Sequence, residues 1–497
     1  MRERSSPSAQ QAEAHASRPA VRDRRSLFSA FRMRVEGLAA LLAALLLVAG
    51  CGTGGDAPEG NLSTGQATTT AAASSQAELL HGAVNTLTRT MVRDIFSPPQ
   101  ASRAYAYASV AAYEALAPGH AAYERGAHRS LASQLNGLTA PPAPKAGQEY
   151  DLALASLEAF LTVAQEMVYS PGRIDAFRRK VHARFAEGET PQALRERSVQ
   201  YGKTVAEHIL DWAAADRYKE TRSGDRFVVT DAPGRWRPTP PAYMNAINPN
   251  WDELRPFALD SAAQFKPSRP HAYSMEKGSP FYEQVKEVYD ISTPLTEEQR
   301  EIAAFWDCNP YAVNKRGHAR VATKQMTPGG HWMAIATIAA RKTDARLPKA
   351  AAAYARVGVT LADGFISAWD EKYRSNLVRP VTVINKHFDE DWRPILQTPP
   401  FPEYTSAHSV VSAAAATTLT DLYGDDFAFR DTSEVAYGLP VRSFDSFNEA
   451  AREAAVSRLY GGIHYRMAAE NGFDQGKAVG RFLNEQVEVR RPVVAQR

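Results

Sequence analysis

The sequence predicts an all-α protein, and three observations favour this fold class. From residue 78 onward, apolar residues recur at intervals of three and four, as they do on the buried face of an amphipathic helix. No segment has the apolar–polar alternation that is typical of a half-buried strand, and no internal repeat is evident. The chain of 497 residues has an ordinary globular composition, with 44% hydrophobic and 23% charged residues. We therefore expect a helical assembly with one active centre in its C-terminal half.

Residues 1–51 have the pattern of an export signal. Arginines precede an apolar run over residues 38–49, which is too short to span a bilayer as a mature helix. The run ends in the sequence LVAGC at Cys51, which is typical of a bacterial lipoprotein signal whose cysteine becomes lipidated; the alternative is an ordinary secretory signal with a chance cysteine. Met33 is an alternative start. We expect an exported protein, in the periplasm or at the cell surface, that meets the membrane only through a lipid anchor at Cys51.

The basic character of the chain belongs to this leader. Residues 1–50 carry eight arginines and four acidic residues, which leaves 50 basic and 51 acidic residues in the rest of the chain. The body therefore has no basic footprint that would indicate a nucleic-acid partner.

The remaining chain divides into three regions. Residues 52–77 are rich in Gly, Ser, Thr and Ala and predict a flexible tether. Residues 78–300 form an N-terminal helical region, and residues 301–490 form a C-terminal helical catalytic domain. Helical spacing predicts these individual helices: 77–92, 102–116, 148–169, 173–186, 191–216, 278–290, 295–307, 330–341 and 346–369.

One segment, residues 217–270, lacks this periodicity and is rich in Pro, Trp and Asn. Trp236, Tyr243 and Trp251 in it are expected to be buried, which predicts an ordered loop instead of a linker. Ordered loops of this length in compact proteins are usually functional.

The first chemical motif is a pair of cations, Lys372 and Arg379, in WDEKYRSNLVRP. Seven residues fall about 20° short of two helical turns, which predicts that both cations lie on one helix face, with Pro380 ending or bending that helix. A Lys and an Arg suit one oxyanion that is held from two directions. The alternative is a solvated basic stripe.

The second motif is Ser406-Ala407-His408, which precedes an Ala-rich apolar helix. Ser406 is a natural N-cap, so the helix N-terminus presents free amides, including that of Ala407, to an anion. His408 in the first turn is placed to exchange a proton with a bound oxygen. The alternative is a capped helix with an incidental histidine.

The third motif is Arg458 and His464, six residues apart and separated by Gly461-Gly462. A continuous helix would not direct both side chains to one point, but the two glycines allow the chain to turn between two helices. A histidine there can be a nucleophile toward phosphorus or a ligand to vanadium. The alternative is a plain helix junction. Together the three motifs predict a site for a tetrahedral oxyanion, phosphate or vanadate.

The segments KYRSNLVRP, EYTSAHS and SRLYGGIH resemble the three signature blocks shared by the vanadium-dependent haloperoxidases and the type-2 phosphatidic acid phosphatases. AFWDCNP, TPGGHW and AVSRLYGGIHY extend the resemblance toward the bacterial haloperoxidase-like branch, over residues 300–485. The resemblance implies an all-α fold with vanadate, or no cofactor in a phosphatase, inside a four-helix bundle.

The resemblance also implies roles for single residues. Equatorial oxygens of the anion would be bound by Lys372, Arg379 and Arg458, and further hydrogen bonds would come from Ser406 and the Ala407 amide. His408 would be the acid–base group, and His464 the vanadium ligand or the phosphorylated nucleophile. Trp369 and Phe401 fall at the positions of an aromatic pair in the halide environment; the alternative for both is core packing.

Two departures from the family pattern are visible. Ala407 stands where a glycine is usual, which leaves its amide available. Ala468 stands where the phosphatases carry an aspartate that orients the final histidine, and this weakens the phosphatase interpretation. Asp307 and Asn309 remain two alternatives for a residue that supports His408.

Three functions are therefore open. The first is a vanadate-dependent haloperoxidase that uses hydrogen peroxide and a halide. The second is a phosphomonoesterase that acts on a phosphate ester through a phosphohistidine at His464, and the third is a lipoprotein without catalysis. His331 in TPGGHW is interpreted as a structural histidine, and the alternative is a catalytic one. It does not belong to a His-Glu pair at metal-binding spacing, so a zinc or iron site is not indicated.

Overall fold

The computed structural model describes residues 64–119, 129–188, 190–316, 319–322 and 325–489. The export signal predicted over residues 1–51, with Cys51, lies outside the described residues. Among those that are described, no helix combines the length and the apolar character needed to cross a bilayer.

Fourteen α-helices dominate the described residues and confirm the all-α prediction. They are α1 (Thr64–Asp94), α2 (Pro98–Leu116), α3 (Leu152–Met167), α4 (Gly172–Glu187), α5 (Gln192–Ala214), α6 (Tyr218–Ser223), α7 (Pro280–Ile291), α8 (Glu297–Phe305), α9 (Pro328–Lys342), α10 (Leu347–Ser375), α11 (Pro380–His387), α12 (Ala407–Tyr423), α13 (Phe447–Tyr460) and α14 (Arg466–Gln486). Two small antiparallel hairpins were not predicted: β1 (Val313–Arg316) pairs with β2 (Ala319–Ala322), and β3 (Phe429–Asp431) pairs with β4 (Arg442–Phe444).

The tether predicted over residues 52–77 is partly wrong, because α1 already begins at Thr64. Residues 66–81 contain neither glycine nor proline and several alanines. The segment therefore lacks the two residue types that are least compatible with a helix interior.

Helix α10 is shared by two groups of helices. On one side it packs along α2, which in turn packs on α3, and α3 on α5. On the other side it packs on α12, which also contacts α13 and α14. The predicted boundary at residue 300 therefore does not separate two compact units, since all described helices belong to one.

Helices α12 and α14 approach each other closely along a stripe of glycines on α14. Gly472, Gly476 and Gly480 recur every fourth residue and so lie on one face. A Cβ atom at Gly476 would overlap the carbonyl oxygen of Val410 on α12. The stripe thus fixes the position of the N-terminus of α12, where Ser406 is the N-cap.

The long loop 217–270 is ordered and docks on α10. The buried carboxylate of Asp363 accepts hydrogen bonds from the amides of Phe257, Ala258 and Leu259, at 2.6, 2.8 and 3.0 Å. Trp236 and Trp251 are buried as predicted. The prediction for Tyr243 is wrong: its side chain is 63% exposed, because it lies in a surface turn with a left-handed φ of 49°.

This loop also holds the segment between α10 and α11. The Trp236 amide donates to the carbonyl oxygen of Asn376 at 3.1 Å, and the Val378 amide donates to that of Gly234 at 2.9 Å. These bonds fix the backbone immediately before Arg379.

Candidate active site

Lys372 and Arg379 do not share a helix, so that prediction is wrong. Helix α10 ends at Ser375, where Asn376 adopts a left-handed C-cap, and Arg379 is the N-cap of α11. Proline begins the second helix instead of ending the first, since its fixed φ suits the first helical position.

The two cations nevertheless converge, because both bind the same stretch of backbone. Lys372 Nζ donates to the carbonyl oxygens of Pro402 at 3.1 Å and Thr405 at 2.5 Å. Arg379 Nε donates to that of Phe401 at 2.9 Å. Segment 401–405 thus orients both cations, which the helical argument could not foresee.

Arg379 also reaches the third motif. Its Nη1 donates to the carbonyl oxygen of Ile463 at 2.8 Å and to Nε2 of His464 at 3.1 Å. Its Nη2 is buried and has no hydrogen-bond partner within the described part of the chain.

The second motif forms as predicted. Ser406 is the N-cap of α12 and accepts from the amide of Ser409 at 3.3 Å. The hydroxyl of Ser409 also lies 2.8 Å from Ser406 Oγ and can donate to it, which leaves the Ser406 proton free for a ligand. His408 is buried, and its Nε2 is another atom without a partner among the described residues.

The third motif also forms as predicted. Arg458 lies in the last turn of α13, Gly462 turns the chain with a φ of 74°, and His464 precedes α14 by two residues. Arg458 is held from behind, since its guanidinium donates to the carbonyl oxygens of Trp306 and Asp307.

Glu403 is a site residue that the sequence interpretation missed. Its Oε1 accepts from Nδ1 of His464 at 2.8 Å and from the amide of Tyr465 at 2.9 Å. With the proton on Nδ1, the lone pair of His464 lies on Nε2, the atom next to Arg379. The sequence contained a signal for it: Glu403 lies between Phe401 and Tyr404, and an acid in an apolar segment that becomes buried requires a buried partner.

Trp369 and Phe401 are brought together, with ring centroids 5.1 Å apart. Both are buried and both line the cavity described below. The Phe401 ring also lies 5.0 Å from Lys372 Nζ and 5.0 Å from the Arg379 guanidinium, within the range of a cation–π contact.

The side chains surround a narrow cavity of about 50 Å³. Its lining includes Ala407, His408, Arg458 and His464, and the opposite wall comes from segment 307–311. A cavity of this size holds a few water molecules or one small inorganic anion.

Positive charge is in excess in this site. Burial lowers the pKa of Lys372 well below its usual range, and the charge of Arg379 lowers it further. Burial lowers the pKa of Arg379 to about 10 and also lowers that of Arg458. Two carboxylates, Glu403 and Asp307, lie beside these cations. Burial raises the pKa of Glu403 to about 7 against the opposing charge of Arg379, and that of Asp307 to about 6 against the opposing charge of Arg458.

His408 and His464 both have lowered pKa values, which disfavours their protonated forms. Burial lowers the pKa of His408 well below its usual range, and the charge of Arg458 adds to this. Burial and then Arg379 lower the pKa of His464. Each therefore presents a neutral imidazole, which can accept a proton or bind a metal centre through nitrogen.

These properties fit a small oxyanion. Ala407, His408, Arg458 and His464 line the cavity, and Arg379 contacts His464 from behind. A bound anion would meet the N-terminus of α12, could pair with Nη2 of Arg379, and would offset the buried cations. Burial of Lys372 and Arg379 excludes the alternative of a solvated basic stripe.

Neither residue suggested as a support for His408 has that role. The side chain of Asn309 bonds the backbone of Tyr311 and Gln397, and Asp307 Oδ1 has no partner among the described residues. His408 instead meets the edge of Trp306, with ring centroids 6.2 Å apart.

Comparison with known proteins places the chain in a family. A bacterial vanadium-dependent iodoperoxidase of known crystal structure shares 49% sequence identity with this chain. The match has a TM-score of 0.79 and covers 84% of this chain and 98% of that chain. The family model of the VCPO second helical-bundle domain matches residues 352–490, which contain every predicted site residue. The chain belongs to the vanadium-dependent haloperoxidases.

More distant structures share the fold. A holo-type bacterial vanadium-dependent chloroperoxidase has 17% identity and a TM-score of 0.60, over 79% of this chain and 93% of that chain. The corresponding apo-type structure has 17% identity and a TM-score of 0.58, over 77% and 92%. No match was found among curated proteins.

Proposed function

We propose that this protein oxidises a halide, preferably iodide, with hydrogen peroxide while vanadate is bound in the cavity. The observation that carries the proposal is the convergence of three buried cations, Lys372, Arg379 and Arg458, on two histidines, with Nη2 of Arg379 and Nε2 of His408 left without partners in the described part of the chain. Iodide is the expected halide because the relative with 49% identity is an iodoperoxidase.

The residues of the chain have distinct tasks in this proposal. Lys372, Arg379 and Arg458 neutralise the anion, with Ser406 and the Ala407 amide as further donors. His464 would hold vanadium through Nε2, since Glu403 keeps the proton on Nδ1. When bound, vanadate would supply a Lewis-acid centre that makes peroxide electrophilic, and vanadium would keep its oxidation state.

His408 is the proton carrier of the site. Its Nε2 faces no other donor or acceptor of the described chain, and its lowered pKa keeps the ring neutral. A neutral imidazole can take a proton from incoming hydrogen peroxide and later return it to the leaving oxygen.

We also propose that Trp369 and Phe401 form the wall met by the halide. The two rings line the cavity in mutual contact, and iodide, the larger and more polarizable ion, suits such an apolar wall. Replacing Trp369 with Phe is expected to lower the preference for iodide over bromide.

A phosphomonoesterase remains the second candidate, and Glu403 specifically favours it. The phosphatase interpretation was weakened by Ala468, which cannot orient the nucleophile. Glu403 supplies a carboxylate to Nδ1 of His464 from a different part of the chain, as in a nucleophile–base–acid relay. A phosphohistidine at Nε2 is chemically accessible to the same residues.

One set of assays separates the two functions. Purified protein is freed of bound anions, divided, and supplied with orthovanadate or with buffer alone. Peroxide-dependent oxidation of iodide, bromide and chloride is measured beside hydrolysis of a phosphate monoester. We expect halide oxidation only with vanadate, fastest with iodide; ester hydrolysis without vanadate and no halide oxidation would reverse the assignment.

A further inference from the structure

A second cluster of buried ionisable groups lies behind Arg458. Sγ of Cys308 is 3.4 Å from Nδ1 of His331 and 3.9 Å from Oε1 of Glu434. Nδ1 of His331 is itself 3.2 Å from Oε1 of Glu434. The three residues come from the segment after α8, from α9 and from the segment after β3, and all are buried.

We propose that this cluster binds one zinc-like divalent cation through Cys308, His331 and Glu434. Tetrahedral zinc with sulfur at about 2.3 Å and nitrogen or oxygen at about 2.0–2.1 Å separates its ligand atoms by roughly 3.3–3.6 Å. The sulfur–nitrogen and nitrogen–oxygen separations agree with this, and the sulfur–oxygen separation is a few tenths of an ångström longer. A thiolate, an imidazole and a carboxylate together suit zinc better than calcium or magnesium, which prefer oxygen ligands.

The imidazole is already oriented for this role. Nε2 of His331 lies 2.8 Å from Oδ2 of Asp431, and Trp306 stacks on the ring with centroids 4.4 Å apart. When Nε2 carries the proton and donates to Asp431, the lone pair of Nδ1 points to the other two ligands. A carboxylate behind a metal-bound histidine is a common arrangement in zinc sites.

The buried carboxylates of the cluster also favour binding of a cation. Asp431 and Glu434 are buried carboxylates beside one imidazole, and Asp307 adds a third whose Oδ1 has no partner among the described residues. A divalent cation would offset two of the four negative charges that the three carboxylates and a Cys308 thiolate would carry. Cys308 and Asp307 line the cavity, from which a water molecule could occupy the fourth position.

The proposed ion would act on the anion site through backbone. Segment 306–308 carries both the thiol ligand and the carbonyl oxygens that hold the Arg458 guanidinium. Fixing Cys308 therefore fixes the position from which Arg458 reaches the cavity. The role is structural, so the proposal does not depend on vanadate or on halide oxidation.

The test is a metal analysis of the full-length protein. The chain is incubated with zinc, freed of excess ion, and its metal content is measured by mass spectrometry, with cobalt substitution to observe the ligands. We expect about one ion per chain and a near-ultraviolet sulfur-to-cobalt band. Zinc far below one ion per chain, with no such band, would overturn the proposal.

Matched variants locate the ion. Cys308→Ser should abolish the sulfur-to-cobalt band, whereas Cys51→Ser, at the other cysteine of the chain, should leave it unchanged. Glu434→Gln should lose zinc, whereas Glu158→Gln, at a buried glutamate beside another histidine, should retain it. A band that survives Cys308→Ser would contradict the assignment.

The residue behind the ligand provides a variant that keeps all three ligands. Asp431→Asn should weaken zinc affinity about 10- to 100-fold, because the histidine loses its charged acceptor. Unchanged zinc affinity in this variant would contradict the assigned orientation of His331.

Discussion

The two buried clusters on either side of Arg458 have opposite charge excesses. The anion site brings Lys372, Arg379 and Arg458 together with Glu403, whereas the cluster behind it brings Asp431 and Glu434 around one histidine. Asp307 interacts with both Arg458 and Glu434. The first leaves donor atoms without partners, and in the second the thiol, the imidazole and Glu434 contact one another.

The pKa of a buried histidine follows the charge around it. Burial lowers the pKa of both His408 and His331, but the nearby charges act in opposite directions. Arg458 lowers the pKa of His408 further, whereas Asp431 raises that of His331 well above its usual range. The cations around His408 therefore favour an anion in the cavity, whereas the carboxylates beside His331 favour a positive charge, which a proton on the ring or a bound divalent cation can supply.

The largest expected effect is a loss of activity in a variant of the anion site. His464→Ala removes the only proposed direct ligand of vanadium, so vanadate-dependent iodide oxidation should fall at least about 10³-fold. The measurement is kcat/KM for iodide at saturating vanadate. His81→Ala is the matched control, since His81 is also buried but bonds Tyr354; activity that survives in His464→Ala would refute the ligand assignment.

His408→Ala separates chemistry from anion binding. Loss of a general acid–base group should lower kcat about 10²- to 10⁴-fold. Vanadate binding, measured by calorimetry, should persist, because the three cations remain. Equal losses in kcat and in vanadate affinity would show that His408 is a binding residue and not the proton carrier.

Glu403→Gln tests how His464 is oriented. A glutamine can still accept from Nδ1 but lacks the charge, so vanadate affinity should fall about 10- to 100-fold. Glu114→Gln is the control. Glu114 is also a buried glutamate, but it bonds Ser130 and Leu131, which do not line the cavity. Phosphate-ester hydrolysis measured on the same proteins shows whether Glu403 serves the second candidate function.

The smallest effect is a change in the pH dependence of stability. The pKa of His408 lies well below 6.5 in the folded chain, so below pH 6.5 the unfolded chain binds a proton that the folded chain does not. Folding stability contributed by this group is therefore present above pH 6.5 and is lost as the pH falls, by up to about 1.4 kcal/mol per pH unit.

His408→Gln should remove this contribution and make the acid limb less steep. Denaturant unfolding of the anion-free protein and the variant between pH 5 and 7 measures the difference. Parallel acid limbs would show that folding leaves the pKa of His408 at its ordinary value.

The helices and many of the site residues could be predicted from the sequence, because both depend on local sequence patterns. Apolar spacing predicted most helices to within a few residues, and the Ser406 cap and the Gly461-Gly462 break formed as predicted. The family blocks, in turn, identified Ala407, His408, Arg458 and His464, which line the cavity. These features are set within a turn or two of chain, where residue type alone restricts the backbone.

The partners of those residues depended on contacts between distant segments. Lys372 and Arg379 were predicted to converge through one helix, but they converge through backbone carbonyls of residues 401–405. Likewise Glu403 bonds His464, which lies 61 residues later in the chain. No rule based on helix or strand spacing predicts a contact between residues so far apart in sequence.

The sequence by itself determined which elements form and which chemical groups the protein has for binding an anion. Only the tertiary structure decided which groups pair and which stay unpartnered, because burial raises the cost of an unpaired charge far above its cost in water. The same reason accounts for Cys308, His331 and Glu434, which have no common motif in the chain and meet only when three segments pack together.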